Sequence, residues 1–349
     1  MEQMVTDKEI EEIINNLKVG KTPGTYGLGP EYYKVFKKIL IPKLKELFNK
    51  ILKGEEIPLS WRESLIVLIL KPDKNPANMD AYRPISLINQ DAKIFTAIMA
   101  KRLNSFMWKY IEKDQNGFIL GRQMSDLMRR VLNVMNLAKE SNSKAGVISL
   151  DIFKAFDSVE WESLKTLIKY LGFGSNFNHI IHQLYSQNTA KVIVNDGITE
   201  TIYLGRGTRQ GCPLSPVLFT MIIEILAQII REDKQIRGVD NKENGKINLF
   251  ADDTLLIVNN PAETIERLKI HLKEFESLTG LRVNWGKSEC LLLNHSEKEK
   301  RKVEIIFEGK IGKVMKYLGI NITWNLQEII EINLDRLKTD IIGRNLERY

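Results

Sequence analysis

Cysteine is scarce in this chain: two residues, Cys212 and Cys290, among 349, with four histidines. Neither cysteine lies in a metal-ligand spacing, so the sequence encodes no zinc site or disulfide framework, and reduced thiols in a cytosolic or nuclear setting are expected. No apolar run approaches the ~20 residues needed to span a bilayer. The opening "MEQMVTDKEI" is too polar and acidic for a secretory or transit peptide, so a soluble chain is expected. Internal repeats, low-complexity tracts and a Rossmann-type glycine fingerprint are also lacking, which excludes a solenoid and a dinucleotide fold of that kind.

What remains is a globular composition with 43% hydrophobic residues, and the length suits two or three lobes. Lys and Arg exceed Asp and Glu by 51 to 44, giving a formal charge of +7 that favours a polyanionic partner or an anionic membrane surface. "TDKEIEEIINNL" (6–17) combines Thr6 and Glu9 as a capping box with isoleucines at helical spacing, so a helix is predicted there. After the Gly- and Pro-rich loop "GKTPGTYGLGP" (20–30), helical spacing resumes in "EYYKVFKKILIPKLKELFNKIL". "SLIVLILK" (64–71) and "AGVISL" (145–150) read as buried strands, and "PLSPVLFTMIIEILAQIIRE" as a long buried helix. "AKVIVND" with "ETIYLG", and "KVMKYLGINITW", read as hairpins. The amphipathic helix in "EIIEINLDRLKTDIIGRNLERY" is expected to continue into a longer protein.

The chemistry concentrates in "LFADDTLLIV" (249–258), where Asp252 and Asp253 interrupt an apolar strand. Unpaired carboxylates in a core cost several kcal/mol or take up a proton, and adjacent like charges add repulsion. Asp151 ends another apolar strand, and antiparallel pairing of the two would gather all three acids. Successive strand residues point to opposite faces, so "ADDT" is placed at a hairpin bend. Converging hard oxygens call for Mg²⁺ or Mn²⁺, and two such ions ~3.5–4 Å apart imply phosphoryl transfer.

"LDIFKAFDSV", "GTRQGCPLSPVLF" and "FADD" occur in the order and spacing of motifs A, B and C of the reverse transcriptases, and "YRPISL", "GLRVNWGKS" and "KYLGI" fall where that family has its fingers motif, motif D and primer grip. Together with the early "KTPG" element, the chain resembles the LINE-type (non-LTR) retrotransposon enzymes over roughly residues 10–345. The resemblance implies that Asp151 and Asp252 bind both metal ions, with help from Asp253 and the Ile152 carbonyl. Phe156 would lie under the incoming sugar and exclude a 2′-hydroxyl. Gln210 and Gly211 would contact nucleotide and template, supported by Arg209, while Lys71 and Arg83 would hold the triphosphate. Lys287 is either the acid for pyrophosphate or a surface lysine. Tyr317, Leu318 and Gly319 form either the primer-positioning hairpin or a plain apolar one. Asp157 is expected to cap the following helix. Arg102, Arg122, Arg129 and Arg130 are candidates for phosphate contact, or else solvated.

The expected architecture is an α+β right-hand polymerase fold: an N-terminal extension and fingers (1–145), an antiparallel-sheet palm (146–322) and the start of a truncated thumb (323–349). The implied activity is RNA-directed DNA synthesis, with an RNA template, a DNA primer, dNTPs and two Mg²⁺ or Mn²⁺ ions, in the nucleus and cytoplasm. Two departures stand out. "TYG" follows "KTPG" where the family usually has a Pro-Asp-Gly-like turn, and the upstream endonuclease and downstream Cys/His-rich segment of LINE-type proteins are not in this sequence. An inactive remnant that only binds nucleic acid, and a group II intron maturase or RNA-dependent RNA polymerase on the same palm, are the competing readings. Phe156 and "FADD" in place of "YADD" favour the retrotransposon pattern.

Overall fold

A computed structural model describes residues 1–72, 74–195, 197–239 and 245–346, except for the side chains at 336, 337 and from 339 onward. Two compact units divide the chain. The first comprises Met1–Tyr110, Lys154–Ile222 and Leu278–Gly280; the second comprises Ile111–Phe153, Ile223–Ser277 and Leu281–Tyr349.

The first unit opens with α1 (Asp7–Asn15), whose capping box forms as predicted: Thr6 Oγ1 accepts from the Glu9 N–H, and the Glu9 carboxylate accepts from the Thr6 N–H. Helices α2 (Pro30–Val35) and α3 (Lys37–Leu52) follow, with Phe48, Ile51 and Leu52 of α3 buried. The next elements are β1 (Glu63–Leu70), β2 (Tyr82–Leu87) and α4 (Gln90–Asn104). β2 is a strand the sequence conceals, because Pro84 removes a ladder donor; the sheet tolerates it because β2 is an edge strand paired on one side with β1.

In the second unit, α5 (Met124–Glu140) leads to β3 (Ala145–Leu150). The chain returns to the first unit through α6 (Ala155–Ser158), α7 (Trp161–Tyr170), α8 (Ser175–Leu184), β4 (Thr189–Val194), β5 (Gly197–Ile198) and β6 (Ile202–Tyr203). There β1 joins β2 antiparallel and β4 parallel, and β4 pairs antiparallel with β5 and β6, as the predicted hairpin requires; Asp196 lies outside the described residues.

The long apolar helix α9 (Ser215–Glu232) brings the chain into the second unit. β7 (Ile247–Phe250), β8 (Asp253–Asn259), α10 (Pro261–Thr279), β9 (Glu289–Leu293) and α11 (Glu297–Ile306) follow. The chain then forms β10 (Lys310–Gly312), the β11 (Met315–Tyr317) and β12 (Ile320–Ile322) hairpin, and α12 (Leu326–Leu346). Residues 347–349, read from the sequence as the end of that helix, lie outside the described residues.

The sheet of this unit has the order β10-β9-β3-β8-β7. All its pairings are antiparallel, as expected of the palm sheet, except the edge pair β9–β10, which is parallel. β3 and β8 are almost wholly buried, as continuous apolar runs require when both faces are covered. α5 turns Leu127, Val131, Val134 and Met135 toward Val147, Leu255, Ile257 and Leu291, and Met315, Tyr317 and Ile322 of the hairpin complete that core.

A buried ion network fastens α9 to the loop before α5. Arg231 donates from Nε and Nη2 to both oxygens of Asp114 (2.8 and 2.6 Å) and from Nη1 to Glu224 (2.6 Å). Burial holds the Glu224 carboxyl above the ordinary range against Arg231, so the guanidinium's main compensation is the two-pronged bond to Asp114. Removing one partner of such a network strands a charge. Asp114→Ala is expected to destabilise the protein by about 3 kcal/mol in urea unfolding. A change below ~1 kcal/mol would mean that the pair is solvated in solution.

Candidate active site

The carboxylates are placed by strand register. β3 and β8 pair with Leu150 opposite Thr254, so the next step of the same register sets Asp151 opposite Asp253. Phe250 and Asp253 close the β7–β8 ladder, leaving Ala251 and Asp252 as a two-residue turn, the bend expected for "ADDT". Ala251 is left-handed at φ +59, a conformation costing an L-residue roughly 1–2 kcal/mol. That turn lets the aspartates escape the strict alternation of a strand.

Past β3, the chain is held on its other side. Asp151 N–H donates to Ser288 Oγ at 3.2 Å, and its carbonyl accepts from Asn284 N–H at 2.7 Å. Ile152, buried, bridges Val283, and Phe153 N–H donates to Arg282 O at 2.9 Å. Ser288 and Asn284 went unnoticed in the sequence as supports for Asp151; "NWGKS" was the available signal.

Electrostatically the three acids form one system. Burial, then the Asp252 and Asp151 carboxylates, push Asp253 up to about 6. Burial also raises Asp252, with Asp151 adding to it. Asp253 is open to solvent on one side while protein surrounds the other, so it is both reachable and poorly hydrated. Among the described residues, no group of three or more His, Cys, Asp or Glu side chains is drawn together closely enough to hold a metal ion by itself. The donor set nevertheless fits a hard divalent cation: it consists of carboxylate oxygens whose mutual repulsion a cation would relieve.

Lys287 is exposed in the single turn Trp285–Lys287. In the β11–β12 hairpin, Tyr317 is buried, with its hydroxyl 3.4 Å from the carbonyl oxygens of Asn248 and Asp253. Leu318 and Gly319 form its left-handed turn (φ +48 and +81), and Gly319 is exposed. Tyr317 thus braces β7 and β8 from within.

The remaining candidates belong to the first unit. Phe156 is half-buried and stacks on Phe219, ring centroids 4.5 Å apart. Asp157 does not cap the next helix. It lies inside α6 and accepts from Gln210 Nε2 at 2.8 Å, and burial holds its pKa above the ordinary range. This corrects the capping expectation, because a partner 53 positions away leaves no local trace. The Phe156 carbonyl accepts from Thr208 N–H at 2.6 Å and the Val159 carbonyl from Gly207 N–H at 2.7 Å, joining the "AFDSV" and "GTRQG" segments along their backbones. Gly211 is at φ +113, and a Cβ there would lie 2.7 Å from Ser86 O, so glycine is required by the chain itself. Arg209 is buried on the carbonyls of Trp61 and Leu184. Arg83 is exposed on β2, and Lys71 spans the β1–β2 turn to the Asp80 carbonyl at 2.9 Å.

Three of the arginines considered for phosphate contact are committed to their own chain. Arg102 binds the Glu9 carboxylate and the Met1, Gln3 and Met4 carbonyls. Arg122 binds the Ile111, Glu112 and Gln115 carbonyls, and Arg130 the Lys113 carbonyl and Asn116 side chain. Arg129 is exposed beside Asp126.

The sheet thus bears one aspartate past the end of its central strand and an Asp-Asp pair in the adjoining hairpin. The family described as "Reverse transcriptase (RNA-dependent DNA polymerase)" matches residues 69–322, and the chain belongs to it. It is 28% identical over 348 residues to the uncharacterized 149 kDa protein of transposon TX1 of Xenopus laevis, covering 97% of this chain and 26% of that protein. It is 26% identical over 361 residues to the RNA-directed DNA polymerase from mobile element jockey of Drosophila melanogaster, covering 98% of this chain and 38% of that one. The chain thus spans between a quarter and two fifths of these relatives' length. Among solved structures, telomerase from Candida tropicalis with a TWJ fragment of telomeric RNA superposes with TM-score 0.54 at 13% identity, over 85% of this chain and 48% of that one. This supports the α+β right-hand fold. Among the described residues, no helix is long and apolar enough to cross a membrane.

The raised Asp253 gives a pH test. Between about pH 4 and 6 the folded chain holds a proton that the unfolded chain has released, so metal-free stability falls as pH rises through that window and stays lower above it. Asp253→Asn is expected to melt higher than the parent above pH ~6 and to converge with it near pH ~4 when divalent cations are absent. Parallel melting curves across the range would refute the assignment.

Proposed function

We propose that this chain catalyses RNA-directed DNA synthesis, joining a deoxynucleoside triphosphate to a primer 3′-hydroxyl on an RNA template with release of pyrophosphate. The observation that carries this reading is the convergence of Asp151, Asp252 and Asp253 at one end of the β3–β8 pair. Reverse transcriptases are generally dependent on divalent metal. Asp151 and Asp252, with Asp253 and the Ile152 carbonyl, would hold two Mg²⁺ or Mn²⁺ ions; bound there, the cations supply charge neutralisation for the attacking and leaving oxygens. An incomplete cage suits Mg²⁺, which keeps waters and takes further oxygens from substrate phosphates.

The rest of the chemistry is assigned to side chains. Arg83, exposed on β2, and Lys71 offset triphosphate charge. Phe156, stiffened by its stack on Phe219, forms a wall against a ribose 2′-hydroxyl. Gln210, oriented by Asp157, and Gly211 meet the nascent pair. Lys287 supplies a proton to pyrophosphate, and the turn at Leu318–Gly319 approaches the primer while Tyr317 anchors it. Residues 1–145 serve as N-terminal extension and fingers, 146–322 as palm, and 323–349 as the start of a thumb. The protein acts in the nucleus and cytoplasm.

Primer extension on poly(A) with oligo(dT) tests the reading. Incorporation is expected to need Mg²⁺, to vanish in EDTA and to fall at least a hundredfold in Asp252→Ala. Retention of activity in that variant would overturn the assignment. Phe156→Val is expected to raise ribonucleotide use relative to deoxynucleotide use at least tenfold, read from the ratio of kcat/KM values. An unchanged ratio would make Phe156 a core residue alone.

A further inference from the structure

We propose that Gln115 is the positioning residue for Asp252, and that the loop 111–117 exists to deliver it. This rests on the reading above that Asp252 holds the catalytic cation. Gln115 is fully buried. Its Oε1 accepts from Ala251 N–H at 3.0 Å and from Gly117 N–H at 2.7 Å, and its Nε2 donates to the Ala251 carbonyl at 3.4 Å. One side chain therefore grips both backbone groups of the left-handed residue that immediately precedes Asp252. A two-residue turn leaves such groups outside the strand ladder, and an unmatched buried amide would add to the strain at Ala251.

The surroundings are built to this end. Leu249 N–H donates to Asp114 O (2.9 Å) and Asn116 N–H to Leu249 O (2.8 Å), so residues 114–116 lie along β7 as a short parallel partner. Gly117 packs so closely that a Cβ would sit 2.1 Å from Ala251 N. Three arginines secure the loop from outside: Arg122 on three of its carbonyls, Arg130 on Lys113 and Asn116, and Arg231 on Asp114. Gln115 acts through the backbone of the turn. Misplacing a reactive group by ~1 Å can cost ~10²-fold in rate, so a turn under strain needs such a grip.

The test uses the full chain as parent, Gln115→Leu, Ala251→Gly and the double variant. Hydrogen exchange comes first and needs no activity. In the parent, the Ala251 amide is expected to exchange at least a hundredfold more slowly than an exposed turn amide; fast exchange there overturns the proposal whether or not any variant folds. Gln115→Leu is expected to lose that protection and to raise the Mg²⁺ concentration for half-maximal primer extension at least fivefold, with primer-template affinity changed less than twofold. Adding Ala251→Gly is expected to bring the Mg²⁺ requirement back to within twofold of the parent, because glycine enters the left-handed region without being held there. A Gln115→Leu protein with the parent's Mg²⁺ requirement, or a double variant without recovery, refutes the role. A parent inactive in primer extension but protected at Ala251 in a Gln115-dependent way would refute the polymerase reading and leave the grip on the turn standing.

Discussion

Repulsion among three carboxylates is the constraint around which the second unit is organised. Asp151, Asp252 and Asp253 sit at the end of two of its most buried strands, and burial together with their mutual repulsion raises the pKa of Asp252 and Asp253. The protein fixes their backbones: Asn284 and Ser288 hold Asp151, the β7–β8 turn holds the pair, Tyr317 reaches the main chain beside that turn and Gln115 the turn itself. Rigid acids kept close at an electrostatic cost are a store of affinity for whatever positive charge arrives.

The first unit uses the same economy with different groups. Its "AFDSV" and "GTRQG" segments are tied by backbone bonds from Gly207 and Thr208 and by the Asp157–Gln210 side-chain bond. Gln210 and Ser86 are joined as well, through the Gln210 carbonyl, so β2 is tied to the same loop. Gly207 and Gly211 are glycines because a Cβ would meet the carbonyl of Asp157 or Ser86, besides the positive φ at both. Substituting either would displace main chain on both sides of the contact.

Much of this was legible in the sequence where the signal is local. The Thr6–Glu9 capping box, the long apolar helix α9 and the bend at "ADDT" follow from residue type and spacing over a few positions. Helix α11 carried an equally local signal, the Ser296–Glu299 capping box, which a charge-rich sequence with few apolar residues masked. β2 was concealed by Pro84. Arginine roles were illegible for another reason: Arg102, Arg122 and Arg130 bind main-chain carbonyls, which every residue possesses, so no sequence pattern marks the recipient. Gln115 and Asp157 share this difficulty, since their partners lie far along the chain.

The strand order β10-β9-β3-β8-β7 also dictates when the protein can fold. β3 is the central strand, yet both its neighbours are encoded more than about a hundred residues downstream. On a ribosome adding roughly 5–20 residues per second, Ala145–Leu150 would emerge many seconds before Asp253–Asn259 or Glu289–Leu293 could cover it. During that interval an apolar strand with two unpaired edges is available to anything nearby, including another nascent chain. Late central pairing of this sort makes synthesis the vulnerable period in the life of the molecule, and places a premium on chaperone shielding of one six-residue segment.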